Sequence, residues 1–355
     1  MINRECGVYQ TTYEGDMALY PLPLAKLSYG LLVVILLLFP LAADSHTMAL
    51  VNLIGLACVG AIGLNILTGY TGQVSLGQGA FMMVGAYTAA ILSARYGMPF
   101  WVGLPAGGVV AAAVGAFFGI PSLRIKGLYL AIATLAAQFI IEWCINHITW
   151  IGGGAQSSIY VPTPSLFGWQ FNNEHRRYFM VLPVVVLAYV AAQNLVRSRV
   201  GRAFIAIRDR DVAAEIIGVD IFRYKLLAFA VSSFYAGVAG ALVTYYLKIA
   251  NYEHFTLSTS ISYLAMIIMG GLGSVLGSVF GAVFITLLPI VLVYVVEGIA
   301  RLFGFTYASI ADFLANLRLI VYGGLIILFL AIEPEGLYRM WGNIKRYFRF
   351  WPFSY

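Results

Sequence analysis

Charged side chains are scarce in this sequence. Asp, Glu, Lys and Arg make up 10% of its 355 residues, whereas soluble domains average about 25%. A soluble protein needs surface charge to stay dispersed, yet 61% of this chain is hydrophobic and its mean hydropathy is +0.87. The composition therefore excludes an ordinary cytosolic enzyme, a nucleic-acid-binding protein and a disordered regulator. It indicates a chain surrounded mostly by the lipid bilayer.

Motifs for catalysis and metal binding are also missing. The sequence has no GxxxxGK[ST] loop that could hold nucleotide phosphates, and its four histidines lack the HExxH spacing of a zinc site. It has no GxSxG nucleophile motif, and three cysteines form no disulfide framework. We therefore expect no enzymatic activity, no metal and no cofactor in this chain.

Ten apolar runs predict ten membrane-spanning helices, because one span needs about 20 apolar residues. The runs cover residues 27–44, 48–68, 79–95, 100–120, 127–149, 178–196, 226–247, 257–272, 274–299 and 317–332. The run at 257–272 is the weakest, and the sequence leaves open whether it crosses fully. This predicts an all-α polytopic fold, with a membrane domain over 27–332 between tails at 1–26 and 333–355.

The net charge of +6 is best explained by topology. Of the 21 basic residues, 15 lie in segments 1–26, 121–127, 197–225 and 333–355. Segment 197–225 alone carries seven basic and four acidic residues. Cytoplasmic loops of membrane proteins carry an excess of Lys and Arg. We therefore expect both termini and segment 197–225 in the cytoplasm.

Two stretches interrupt the apolar pattern. Residues 67–79 contain four glycines and no charge, and a polar backbone at membrane depth must be buried in protein or line a water-filled path. This predicts a broken helix beside a translocation route, with a solvated turn as the alternative. In the second stretch, Gly273, Gly277 and Gly281 recur every four residues, which favours close helix packing.

Glu142 is the main charged residue inside a predicted span. An acid within the membrane indicates function by default, as a gate, a proton relay or a group near the outer mouth. A buried acid paired with a neighbouring helix, or one that reaches the interface, is the favoured alternative. Loop 150–177 lies outside by topology, where it is either a solvated loop or a docking surface.

Segment 197–225 has apolar residues at helical spacing, including Ala203, Ile207 and Ala214. This predicts one short amphipathic helix over about 202–217, ended by Gly218. A solvated loop that only sets topology and a docking helix for a cytoplasmic partner remain equal alternatives on composition.

Four ordered stretches resemble the LivM-type permeases of branched-chain amino acid ABC importers. They read GLNILTGYTGQVSLGQGAFMMVGAY, PSLRIKGLYLAIATLA, GRAFIAIRDRDVAAEIIGVDIFRYKLLAFAVSSFYAGVAGAL and MGGLGSVLGSVFGA. The closing EPEGLYRMW also fits, so the resemblance covers roughly residues 50 to 340. It implies a fold similar to type II ABC importer permeases and a location in the bacterial inner membrane.

The resemblance implies ATP-driven uptake of Leu, Ile and Val. This chain would form half of the pathway with a second, related permease. Two cytoplasmic ATPases would supply ATP–Mg chemistry, and a periplasmic amino-acid-binding protein would deliver the substrate. A permease for urea or short amides, a passive channel and a secondary transporter are the alternatives.

The resemblance implies one set of site residues, and the polarity of uncharged membrane segments suggests a second. Importer permeases dock into the ATPase through an EAAxxxG pattern, of which Ala213, Ala214 and Gly218 match the AAxxxG part; Val212 replaces the Glu, and the usual Leu-Pro is absent. Charged partners for the ATPase would be Arg202, Arg208, Asp209 and Asp211. A zwitterion needs hydrogen-bonding groups along its route, and their polarity selects Asn65, Thr68, Gln73, Ser75, Gln78 and Ser258, with Glu142 as a further candidate.

Overall fold

The computed structural model describes most of the chain as α-helix. The described residues are 34–122, 127–152, 158–166, 168–303, 320–321, 323–324, 327–328 and 336–350. The predicted tail 1–26 lies outside them. The chain divides into two compact units, Met1–Met48 and Ala49–Tyr355.

Four long helices come first in sequence after the helical residues 34–42. They are α1 (Ser45–Asn65), which continues as the π-helical turn Ile66–Tyr70, then α2 (Gln78–Tyr96), α3 (Phe100–Ser122) and α4 (Leu128–His147). Gly97 ends α2 in the left-handed conformation, with φ 64°, as glycine does at many helix C-termini.

The remaining elements alternate between long helices and short connections. They are α5 (Thr149–Gly152), β1 (Ser158–Tyr160), β2 (Ser165–Leu166), β3 (Trp169–Gln170), α6 (Glu174–Arg197), α7 (Arg199–Asp209), α8 (Asp211–Ile216), α9 (Ile221–Leu247), β4 (Ile249–Asn251), a 3₁₀ turn (Tyr252–Phe255), α10 (Leu257–Gly270), α11 (Val275–Phe303) and α12 (Gly336–Phe350).

Six helices in the described part are long and apolar enough to cross a membrane. They are Ser45–Tyr70, Phe100–Pro121, Tyr129–His147, Glu174–Arg197, Ile221–Leu247 and Val275–Tyr294. They coincide with six of the ten predicted spans, so the chain is a multi-pass membrane protein. The predicted spans at 79–95 and 257–272 correspond to α2 and α10.

The count of ten spans stays a prediction. Most of the run at 317–332 and the first seven residues of that at 27–44 lie outside the described residues. Helix α10 has 14 residues, which at 1.5 Å per residue is about 21 Å, against a hydrocarbon core of about 30 Å. By itself α10 is therefore too short to cross.

Helices α2, α3 and α9 pack against one another with their backbones nearly touching. A methyl group at Gly107 of α3 would lie 2.8 Å from the carbonyl oxygen of Gly85 in α2. A methyl group at Gly237 of α9 would be 2.5 Å from the Gly107 carbonyl. Small residues allow such close approach between helices in lipid, and an edge-to-face pair of Phe81 and Phe229 adds to the same core.

Helices α10 and α11 also meet at glycines, as the sequence predicts. A methyl group at Gly277 would lie 2.8 Å from the Gly270 carbonyl oxygen, so packing explains this residue. Gly273 differs from the helical expectation, because it lies in the turn before α11 with φ 76°.

Two small antiparallel ladders connect the helix ends at the start of α6 and the end of α9. Strand β1 pairs with β4 in the register Ser158↔Asn251, Ile159↔Ala250 and Tyr160↔Ile249, and β2 pairs with β3 as a hairpin. The loop before α6 is therefore joined to the connection between α9 and α10.

Candidate functional site

The polar segment between α1 and α2 is a break in the helices that is buried inside the protein. Gly72 has φ 71°, and the chain stays non-helical until Gln78 begins α2. Side chains alternate along it, with Gln73 and Ser75 buried at 4% and 2% exposure and Val74 exposed. The segment is a broken helix, as predicted, and the solvated-turn alternative is wrong.

Asn65 joins the start of this break to the turn before α11. Its amide nitrogen donates to the carbonyl oxygen of Ser274 and to Oγ of Ser278, both at 2.7 Å. Its amide oxygen accepts from the backbone nitrogen of Gly273 at 3.0 Å. Asn65 and Ser278 are fully buried, so this clamp holds two glycine-containing turns about 200 residues apart in sequence.

Further hydrogen bonds close the break upon itself. The Thr68 hydroxyl donates to the carbonyl oxygen of Gln73 at 3.1 Å. Nε2 of Gln73 donates to Oγ1 of Thr71 at 3.0 Å and to the Lys225 carbonyl oxygen at 3.4 Å. The π-helical turn leaves backbone groups without helical partners, and these side chains replace part of that bonding.

Helices α4 and α10 hold the other end of the break. Oγ1 of Thr134 accepts from the Leu76 nitrogen at 2.9 Å, and Oε1 of Gln138 accepts from the Ala80 nitrogen at 2.6 Å. Oγ of Ser260 accepts from the Gly79 nitrogen at 2.8 Å. Sequence reasoning missed these residues. A signal existed, because Thr134, Gln138 and Glu142 recur every four residues on one face of α4.

The other predicted path residues divide into two groups. Gln78 is buried and donates to the Gly60 carbonyl oxygen at 3.0 Å. Ser258 is exposed and Glu142 is half-buried, and neither takes part in the hydrogen bonds that hold residues 65–79. The structure thus brings Asn65, Thr68, Gln73, Ser75 and Gln78 together in one buried segment and leaves Ser258 and Glu142 apart from it.

The charged segment after α6 forms two helices, so the prediction of one helix over 202–217 is wrong. Helix α7 begins at Arg199, where Oγ of Ser198 accepts from the Val200 and Gly201 nitrogens. Arg210 is extended, with φ −156° and ψ 99°, and separates α7 from α8. Asp211 then lies in the first turn of α8, where a negative charge favours the helix N-terminus. Gly218, with φ 90°, follows the turn after α8, close to the predicted end.

Arg208 connects this surface segment to the buried break. Its Nη1 donates to the carbonyl oxygen of Gly69 in the π-helical turn at 3.0 Å, and its guanidinium is paired with Asp209 at 3.1 Å. Both nearby turns need glycine here: a methyl group at Gly72 would lie 3.3 Å from Cγ of Arg208, and one at Gly273 would lie 2.7 Å from its Nη1.

The predicted ATPase-coupling residues differ in exposure. Ala214 is buried at 2% and packs toward its own chain, and Asp211 is half-buried. The exposed members are Arg202, Arg208, Asp209, Ala213 and Gly218. Helix α8 and its following turn also expose three large apolar side chains that sequence reasoning did not select: Val212 at 62%, Ile216 at 81% and Ile217 at 74%.

A second polar cluster surrounds the start of α6. Oε2 of Glu174 accepts from the Tyr246 hydroxyl at 2.8 Å, and Oε1 is paired with Nη1 of Arg177 at 2.6 Å. Asn52 donates to the Glu174 carbonyl oxygen at 3.0 Å. The cluster ties α1, α6 and α9 together at the end of α6 away from α7.

Comparison with known proteins places the chain in a family. Residues 46–330 match the family described as branched-chain amino acid transport system / permease component. The chain is similar to the high-affinity branched-chain amino acid transport system permease protein LivM of Escherichia coli K12, with 31% identity over 89% of this chain and 75% of that protein. It is also similar to the LivH permease protein of the same organism, with 24% identity over 61% of this chain and 74% of that protein.

An archaeal relative extends the range of the similarity. The probable branched-chain amino acid transport permease protein LivM of Methanocaldococcus jannaschii is 24% identical over 64% of this chain and 65% of that protein. No solved structure gives a significant match. The chain therefore belongs to the family of branched-chain amino acid transport system permease components.

Proposed function

We propose that this chain is a membrane-spanning permease subunit of an ATP-driven importer for branched-chain amino acids. The names of its LivM relatives supply the substrate class, Leu, Ile and Val. The observation that carries the mechanism is the Arg208 contact with Gly69, because it joins a surface helix pair to the buried break.

The exposed apolar surface of α8 supports docking of an ATPase. Large apolar side chains at such exposure are typical of interaction sites when they cluster, and Val212, Ile216 and Ile217 lie within six residues. Arg202 and Asp209 provide exposed charges beside them. Since the sequence has no P-loop, ATP–Mg chemistry belongs to the partner ATPases, two in the complete importer.

Movement of α7 and α8 on ATP binding would reach the break directly. Arg208 bonds to the last turn of the helix and packs on the two glycine turns that Asn65 clamps together. A shift of α7 therefore changes the support of both turns at once. In an alternating-access cycle, such a shift exposes the polar groups of residues 65–79 to the substrate route.

The similarity to both LivM and LivH proteins supports a second, related permease as the partner that completes the pathway. A periplasmic amino-acid-binding protein would dock on the opposite side from α7 and α8, where the β1–β4 ladder lies. The excess of basic residues supports a cytoplasmic position for segment 197–225 and both termini. The proposal includes about ten membrane-spanning helices in an arrangement that resembles type II importer permeases.

Uptake by the purified complex tests the function. The complex is isolated from native membranes through a tag on this chain, identified by mass spectrometry and reconstituted with the binding protein. We expect two ATPase subunits and a second permease to co-purify, and ATP-dependent uptake of labelled leucine but not of labelled urea. Uptake without ATP, or purification of this chain alone, would contradict the proposal and indicate a channel or secondary transporter.

Ile216→Asp tests the docking surface. A carboxylate in the middle of the apolar patch must be desolvated on docking, which costs several kcal/mol unless it is paired. We expect the ATPases to be lost on purification while the second permease is retained. Trp169→Asp is the matched control, because Trp169 is 57% exposed in the β2–β3 hairpin. Equal ATPase recovery from both variants would show that α8 is not the docking surface.

A further inference from the structure

A charged cleft lies between the buried break and the surface helices. It encloses about 280 Å³ and is formed by residues of the break, the start of α4, the α7–α8 junction and α9. Gln73, Leu130, Ile207, Arg208, Asp211 and Lys225 are among its lining residues. An engineered apolar cavity of about 150 Å³ binds benzene, so this volume accommodates a small amino acid.

The lining combines the groups that a zwitterion with an aliphatic side chain requires. Nζ of Lys225 forms an ion pair with Oδ2 of Asp211 at 3.9 Å. Both side chains are substantially shielded, with exposures of 15% and 30%. A cation and an anion are thus presented side by side, and Leu130 and Ile207 add an apolar wall.

Gln73 provides independent evidence for a ligand. Gln73 is only 4% exposed, and it lines the cleft. Its Nε2 is bonded to Thr71, but among the described residues Oε1 has no hydrogen-bond partner. A buried acceptor without a donor costs about 1–3 kcal/mol, so a ligand that supplies a donor to this oxygen would remove that cost.

We propose that this cleft binds a free zwitterionic amino acid with an aliphatic side chain on the cytoplasmic side of the importer. The carboxylate pairs with Lys225, and the ammonium group bonds to Asp211 and Oε1 of Gln73. The side chain contacts Leu130 and Ile207. The choice of branched-chain amino acids as ligands, and of the cytoplasmic side, rests on the proposed function.

Occupancy of the cleft opposes movement of the coupling helices. A bound amino acid bridges the α7–α8 junction, α9 and the break, so it stabilises the arrangement in which these three parts are close together. A ligand shifts a conformational equilibrium by its differential affinity for the two states. Imported amino acid that accumulates inside therefore slows the ATP-driven cycle, which is feedback by the product.

Equilibrium binding of labelled leucine to the complete complex, in nanodiscs and without the binding protein, tests the site. We expect leucine to bind. 4-Methylpentanoate, which lacks the ammonium group, and 3-methylbutylamine, which lacks the carboxylate, should not compete with it. Lys225→Gln and Gln73→Leu should each weaken binding about ten-fold or more, which corresponds to about 1.4 kcal/mol. Arg223→Gln is the matched control, because Arg223 lies two residues away on α9 with 85% of its side chain exposed.

Uptake and feedback separate this inference from the proposed function. If the parent complex takes up leucine but binds none without the binding protein, or if Arg223→Gln weakens binding as much as Lys225→Gln, the cleft site is refuted and the function stands. If leucine uptake itself is absent, the function fails. Leucine loaded inside proteoliposomes should slow uptake by the parent and not by Lys225→Gln. Equal slowing of both also refutes the site.

Discussion

The clamp between Asn65 and Ser278 predicts a measurable coupling between two residues far apart in sequence. Asn65→Leu keeps a side chain of similar volume and removes all three hydrogen bonds of the amide. Ser278→Ala removes only the partner hydroxyl, which is fully buried. The two single variants and the double variant form a cycle that isolates the Asn65–Ser278 bond.

The magnitude follows from the number and burial of the bonds. Interhelical hydrogen bonds within membranes average about 0.6 kcal/mol and reach about 1.7 kcal/mol. Three bonds at the average value make Asn65→Leu destabilising by about 2 kcal/mol. The Asn65–Ser278 bond is 2.7 Å long between two buried groups, so we expect a coupling energy of about 1 kcal/mol, above the average.

The assay is reversible denaturant unfolding of the complex in mixed micelles, followed by tryptophan fluorescence, with the midpoint and slope measured for each variant. Asn52→Leu combined with Ser278→Ala is the control cycle, because Asn52 bonds to Glu174 rather than to the clamp. Its two effects should add within about 0.5 kcal/mol. Additive effects for Asn65 and Ser278 as well would refute the argument that the clamp joins the two turns.

Two further predictions concern the same region. Gly273→Ala should destabilise the protein by about 2–3 kcal/mol, because it adds a clash with Arg208 to left-handed strain of about 1–2 kcal/mol. Gly97→Ala is the control, because Gly97 has φ 64° and open space around it, so this variant should show the strain alone. Equal unfolding midpoints for the two variants would contradict the prediction. Gln138→Leu should lower leucine uptake and stability, because it loosens the end of the break. Gln193→Leu removes a bond to Tyr189 and should leave uptake unchanged. Loss of uptake in both variants would show that the effect is not specific to the break.

Hydropathy and polarity located most of the framework from the sequence. Six predicted spans coincide with apolar helices, since a bilayer requires long apolar runs whatever the tertiary contacts. The break at residues 67–79 was also predictable, because uncharged polar residues and glycines within an apolar chain have few other structural roles. These features depend on local composition.

Tertiary contacts account for what the sequence did not reveal. Arg202 and Arg208 are both arginines of α7, yet only Arg208 bonds to the buried break, and no local pattern distinguishes them. Ser260 rather than Ser258 is the buried serine of α10, which depends on how that helix is rotated. The split at Arg210 is likewise not marked by a glycine or proline in the sequence.

The glycine contacts among α2, α3 and α9 impose an order on biogenesis. Gly85 and Gly107 pair within a helical hairpin, but Gly237 belongs to α9, which is synthesised more than a hundred residues later. Until α9 enters the bilayer, the small-residue groove of the hairpin is filled by lipid tails, which α9 must displace. A ribosome stalled before residue 221 therefore leaves an inserted hairpin whose groove is open to any other helix with a small-residue face.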